Sequence, residues 1–122
     1  MTTQVIIAMA VAIALDVEGA QANTISDGGR AVGPGQMWPI AVRQANKCAG
    51  AKLWMLADRR DIDKVKAMMQ VTFAAYLRRR PNLDPVALAA LWRDPDGDAP
   101  AWHTRKLQAA YVARRKAAGA GK

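Results

Sequence analysis

The chain is short of several features that would decide its class at once. Its 122 residues hold one cysteine, Cys48, one histidine, His103, and one phenylalanine, Phe73. A single thiol excludes an intrachain disulfide framework. The lone histidine has no Cys or carboxylate cluster at metal-ligand spacing, so neither a metal site nor a Cys–His nucleophile pair is expected. Long apolar runs are missing too. The longest, Val5–Leu15, spans eleven residues, whereas a helix needs about 20 to cross a bilayer. The glycines at 28–29 and at 33 and 35 lack the lysine and the strand–loop–helix setting of a phosphate cradle.

Acidic residues are scarce: ten Asp and Glu face eighteen Lys and Arg, for a formal charge of +8. The imbalance is not uniform. Residues 1–36 carry Asp16, Glu18 and Asp27 against Arg30 alone, and the basic surplus falls on the remainder. Such a charge suits an anionic partner, with nucleic acid, an anionic membrane surface and bacterial wall polymers as the candidates. A hydrophobic content of 52% excludes a disordered chain. At this length one domain, 1–122, with an adequate core is expected.

Met1–Leu15 followed by Ala20-Gln21-Ala22 looks at first like a secretion signal. No Lys or Arg precedes the apolar run, however, and Asp16 and Glu18 stand before the cleavage pattern, so no convincing signal peptide is present. Residues 4–17 read instead as a buried helix, with strand as the alternative because Val5, Ile6, Ile7, Val11 and Ile13 are β-branched. Residues 19–36 carry loop or short-hairpin chemistry. Pro39 suits the first turn of a helix running to about Cys48 and ended by Gly50. Asp61 can cap a helix with Ile62, Val65, Met68, Met69, Thr72, Phe73, Tyr76 and Leu77 on one face. Asp84-Pro85 starts another through about Trp92, and Arg93–Asp98 reads as a turn. A final amphipathic helix runs from Pro100 to about Ala117, with 119–122 as a flexible tail. The expected fold class is mainly α, with five helices around one glycine-rich loop or small hairpin.

The stretch from Glu18 to Pro39 carries the chemistry. A helix ends at Glu18, a polar loop holds Ser26-Asp27-Gly28, and Gly33-Pro34-Gly35-Gln36-Met37 follows. This order resembles the core of the lysozyme-like superfamily, especially soluble lytic transglycosylases and phage wall-degrading enzymes. There a helix ends in a catalytic glutamate, a polar loop follows, and then Gly-x-x-Gln and an apolar residue. More weakly, Met68–Arg80 is similar to the family helix with an aromatic-basic end. Asp84–Trp92 is similar to the helix before the family's Trp-Asn-Gly-Gly-Pro turn. Three departures stand out: Gly19 replaces the usual Ser, the loop is about one residue shorter, and Arg93–Gly97 lacks Asn-Gly-Gly.

The resemblance implies a single lysozyme-like helical domain that cleaves the MurNAc–GlcNAc backbone of peptidoglycan, without a cofactor. Glu18 would be the general acid/base and Asp27 a second carboxylate, with Ser26, Gln36, Tyr76 and Trp92 on the substrate. The partners would be glycan strands and the anionic bacterial envelope. The setting would be a phage virion, or the host cytoplasm before release to the wall. Plainer readings stand beside these. Asp27 before Gly28 is a turn former, Tyr76 lies on an apolar helix face, and buried indoles are the common case for Trp38, Trp54, Trp92 and Trp102. Arg78–Arg80 and Arg114–Lys116 are solvated helix ends. A lysozyme-fold protein that has lost catalysis and binds walls in a virion is the rival function. A basic nucleic-acid binder is the less favoured third.

Overall fold

The computed structural model describes residues 1–19 and 21–120 and is mainly helical. Its helices are α1 (Thr3–Glu18), α2 (Pro39–Ala49), α3 (Ile62–Arg79), α4 (Pro85–Arg93) and α5 (Ala101–Ala120). Between α1 and α2, β1 (Ile25–Ser26) and β2 (Ala31–Val32) pair antiparallel, Ile25 opposite Val32 and Ser26 opposite Ala31. No helix among the described residues is long and apolar enough to cross a membrane.

A helix apolar on nearly every side is satisfied only by being surrounded. α1 packs against α3, α4 and α5, burying Ile7, Ala10, Val11, Ile13 and Ala14. That burial outweighs the strand preference of its β-branched residues, a matter of tenths of a kcal/mol each, roughly. Opposite α1, α3 contributes Val65, Met68, Met69 and Phe73, none with measurable exposure, and α4 contributes Leu88 and Ala89. Methionines, aliphatics and Phe73 fill this centre, and the indoles do not. Trp38 and Trp102 are exposed, and Trp54 and Trp92 are half-buried, against the expectation of buried indoles. For Trp38 and Trp102 the reason is local charge. The Arg30 guanidinium lies 5.2 Å from the Trp38 ring, and Arg93 and Lys106 lie 4.8 and 5.3 Å from that of Trp102. An indole stacked by cations gains attraction without leaving water.

The helix starts follow local chemistry. Asp61 accepts from the N–H groups of Asp63 and Lys64, and Asp84 from that of Ala87. Pro39 and Pro85 stand in first turns, where the missing N–H costs nothing. At the other end of the chain the expected tail at 119–122 needs correction: α5 continues through Gly119 to Ala120. Glycine costs only about 1 kcal/mol relative to alanine inside a helix, too little to stop one flanked by Ala118 and Ala120. Gly121 and Lys122 lie outside the described residues. Arg114, read as a solvated helix end, donates to both carboxylate oxygens of Asp16 at 2.6 and 2.7 Å and so ties α5 to α1.

Candidate active site

α1 ends where Gly19 turns into the left-handed region, φ 49°, and its N–H closes the last turn on the Leu15 carbonyl at 2.7 Å. Glycine takes this conformation without the clash that a Cβ brings, which explains Gly19 directly after the glutamate. Glu18 therefore stands on the final turn of a buried helix, its side chain 14% exposed.

The chain then forms the hairpin of β1 and β2, extended by a bridge between Val32 and Met37. Gln36 holds this hairpin from within. Its Nε2 donates to the Gly33 carbonyl at 3.0 Å and the Thr24 carbonyl at 3.4 Å, and its Oε1 accepts from the Ser26 hydroxyl. The glutamine is thus spent on shaping the loop, with Ser26 as its partner.

A 3-10 turn, Leu56–Arg60, clamps the same loop from outside. Arg59 Nη1 donates to the carbonyls of Arg30 and Met37 at 3.0 and 3.1 Å, and Arg60 donates to the Ala22 carbonyl and the Asn23 side chain at 3.3 Å. Desolvation pushes the Arg59 guanidinium below its ordinary pKa. The approach is so close that Gly33, at φ 79°, leaves no room for a Cβ. One built there would lie 1.9 Å from the Arg59 carbonyl oxygen. Neither arginine was marked by any local motif, because each acts on backbone more than twenty residues away.

Helices α3 and α4 supply the other wall. Trp92 donates its indole N–H to the Gly35 carbonyl at 3.2 Å, and its ring meets that of Phe73 in a T-shaped pair with centroids 5.9 Å apart. The result is an open groove of about 700 Å³, within the usual range for a ligand site. Glu18, Ser26, Asp27, Gln36, Tyr76 and Trp92 all line it, so the residues singled out from the sequence converge on one cavity. Asp27 is exposed, in the left-handed region at φ 53° and beside Gly28, as a turn former would be. Tyr76 is half-buried and faces the groove, and burial pushes its phenol up.

Burial likewise pushes the Glu18 carboxyl above its ordinary value of 4.5, and the positive charge of His103 and Arg93 offsets only part of that rise. His103 lies against Glu18 and carries 1% side-chain exposure, with Nε2 3.4 Å from Oε1. Nothing local in the sequence pointed to this contact across 85 residues. No group of three His, Cys, Asp or Glu among the described residues could hold a metal ion.

No known protein family, curated protein or solved structure matches the chain.

The raised Glu18 carboxyl has a consequence for stability. The fold favours its neutral form, so its contribution is complete below about pH 4.5 and is lost as pH rises through the higher folded value. Glu18→Gln removes that loss. The variant is expected to match the wild type in melting temperature at pH 4 and to exceed it at pH 8. Thermal unfolding followed by circular dichroism checks this, and a difference independent of pH would contradict it.

Proposed function

We propose that the groove is the active site of a lysozyme-like glycosidase cutting the MurNAc–GlcNAc backbone of peptidoglycan, with Glu18 as general acid and base. One observation carries the reading: a poorly exposed carboxyl, raised by burial, opens into a ligand-sized groove walled by Tyr76 and Trp92. Glycosidic cleavage needs an acid that is still protonated near neutral pH and can reach the leaving oxygen. Burial shifts Glu18 towards the first requirement, and the open groove supplies the second. Tyr76, with its phenol pushed up by burial, keeps its proton at neutral pH and serves as a hydrogen-bond donor to a sugar.

In the proposed sequence the Glu18 proton passes to the bridging oxygen as the bond from that oxygen to the sugar C1 breaks. Positive charge develops at C1, and the substrate's own N-acetyl group assists the departure. Glu18, now a carboxylate, takes the proton of the sugar's 6-hydroxyl as that oxygen closes on C1. The product is a 1,6-anhydro sugar. This route is preferred to attack by water because Asp27, the candidate second carboxylate, sits on an exposed turn, where nothing among the described residues holds its side chain in place. The +8 charge draws the protein to anionic wall polymers.

The test is mass spectrometry of the muropeptides released from purified walls. Anhydro ends, lighter by one water than reducing ends, are expected. Reducing ends would replace the transglycosylase route by hydrolysis with the site retained. Walls that bind the protein and yield neither product would leave a wall-binding protein without catalysis.

A further inference from the structure

His103 is the most deeply placed titratable side chain beside the groove, and cleavage as written above makes no use of it. Its ring stands between two carboxylates. Nε2 lies 3.4 Å from Glu18 Oε1, and Nδ1 lies 3.6 Å from Asp94 Oδ2. Nδ1 and Oδ2 are both buried and neither has a hydrogen-bond partner among the described residues; they face each other just beyond hydrogen-bond reach. The two carboxylates meet opposite ring nitrogens, so the three groups form a line and do not converge on a point where an ion would sit.

A line of three groups has two gaps, and one proton in each would satisfy the atoms that face each other once they close to hydrogen-bond distance. Two protons can be shared in two ways. Either an imidazolium stands between two carboxylates, or a neutral imidazole keeps Nδ1–H towards Asp94 and accepts from a protonated Glu18. Both arrangements hold the same number of protons and the same net charge. They differ only in whether one proton rests on Nε2 or on Oε1.

We propose that Asp94 and His103 are positioning residues for Glu18: Asp94 holds the imidazole with hydrogen on Nδ1, and Nε2 exchanges a proton with the glutamate. The inference rests on the reading of Glu18 as the general acid. When substrate fills the groove and displaces water, the charge-separated arrangement loses solvation, and the proton settles on Glu18, ready for the leaving oxygen. Glu18 later recovers a proton from the attacking hydroxyl, so the line ends the cycle with the two protons it began with. The other ionisable groups around Glu18 are Arg93 at the end of α4, Tyr76 on α3, and Asp27 and Asp96 on the groove wall. Of these only Arg93 acts on it directly, as a positive charge that opposes the effect of burial.

The experiment is an NMR titration of the Glu18 side-chain carbon and the His103 ring nitrogens in the wild type, His103→Gln and Asp94→Ala. In the wild type both residues should respond at the same pH steps, as coupled sites do, and His103, once it has lost its charge, should be the Nδ1–H tautomer. His103→Gln should move the Glu18 midpoint upward and reduce it to a single step, because a positive neighbour is lost. Asp94→Ala should lose the Nδ1–H preference, and a fold disturbed in general would not select the tautomer. A wild-type His103 protonated on Nε2 when neutral, or a Glu18 titration unchanged in His103→Gln, overturns the inference. Wall digestion separates the two readings. Cleavage without coupled titration defeats the proton line alone, and coupled titration without cleavage defeats the glycosidase.

Discussion

Glu18→Gln is expected to lower the rate of glycan cleavage by about 10²- to 10⁴-fold, the usual contribution of a positioned acid or base. The amide matches the carboxyl in size and keeps an acceptor oxygen beside His103, so the groove should retain its shape. What it loses is a transferable proton at the leaving oxygen and, later, a carboxylate to receive one. The same substitution relieves the cost of ionising a half-buried acid, so the variant should be inactive and, above neutral pH, no less stable than the wild type. That opposition of effects is the useful part. A variant that loses activity through misfolding would lose both together. Release of muropeptides from purified walls, normalised to folded protein, measures the first effect. Equal release by the variant and the wild type would remove Glu18 from the mechanism.

Gly33→Ala is expected to destabilise the protein by about 2–4 kcal/mol, combining the strain of a left-handed alanine with an overpacked contact. The contact is unusually hard because a methyl carbon would stand 1.9 Å from the Arg59 carbonyl oxygen, and backbone cannot swing aside as a long side chain can. Something must move. The candidates are the 3-10 turn at 56–60 and the hairpin it clamps, and either movement breaks the hydrogen bonds from Arg59 to the Arg30 and Met37 carbonyls. Gly28→Ala is the control. Gly28 is also left-handed, at φ 68°, but nothing lies within 4 Å of a Cβ built there. It should cost only the strain, about 1 kcal/mol. Urea unfolding of the two variants separates collision from conformation. Equal losses would mean that the loop and the turn part easily.

The sequence was most readable where the deciding chemistry is local. Asp61, Asp84-Pro85, Pro39 and Gly50 mark helix ends because a cap acts within three or four residues, and the helices start or stop there within a residue or so. The convergence of Ser26, Asp27, Gln36, Tyr76 and Trp92 on the Glu18 groove was anticipated as a group. The role of Gln36 as a brace for the hairpin became clear only from its partners. The grip of Arg59 on two distant carbonyls was out of reach, and so was the contact of His103 with Glu18. Such contacts depend on how helices cross, and a lone histidine or arginine carries no periodicity that announces them. The indoles were misjudged for a related reason. Composition says that tryptophan is usually buried, and only the fold shows which cations stand over Trp38 and Trp102.

The pairing of α1 with α5 sets the timing of assembly during synthesis. Glu18 is made 85 residues before the histidine against it; Arg114, which fastens the two helices through Asp16, comes later still. Until α5 has emerged, α1 has no cover on that side, and the acid has no buried partner. A growing chain therefore holds an apolar helix and an unfinished groove until α5 is made, and only then can the site close around its acid.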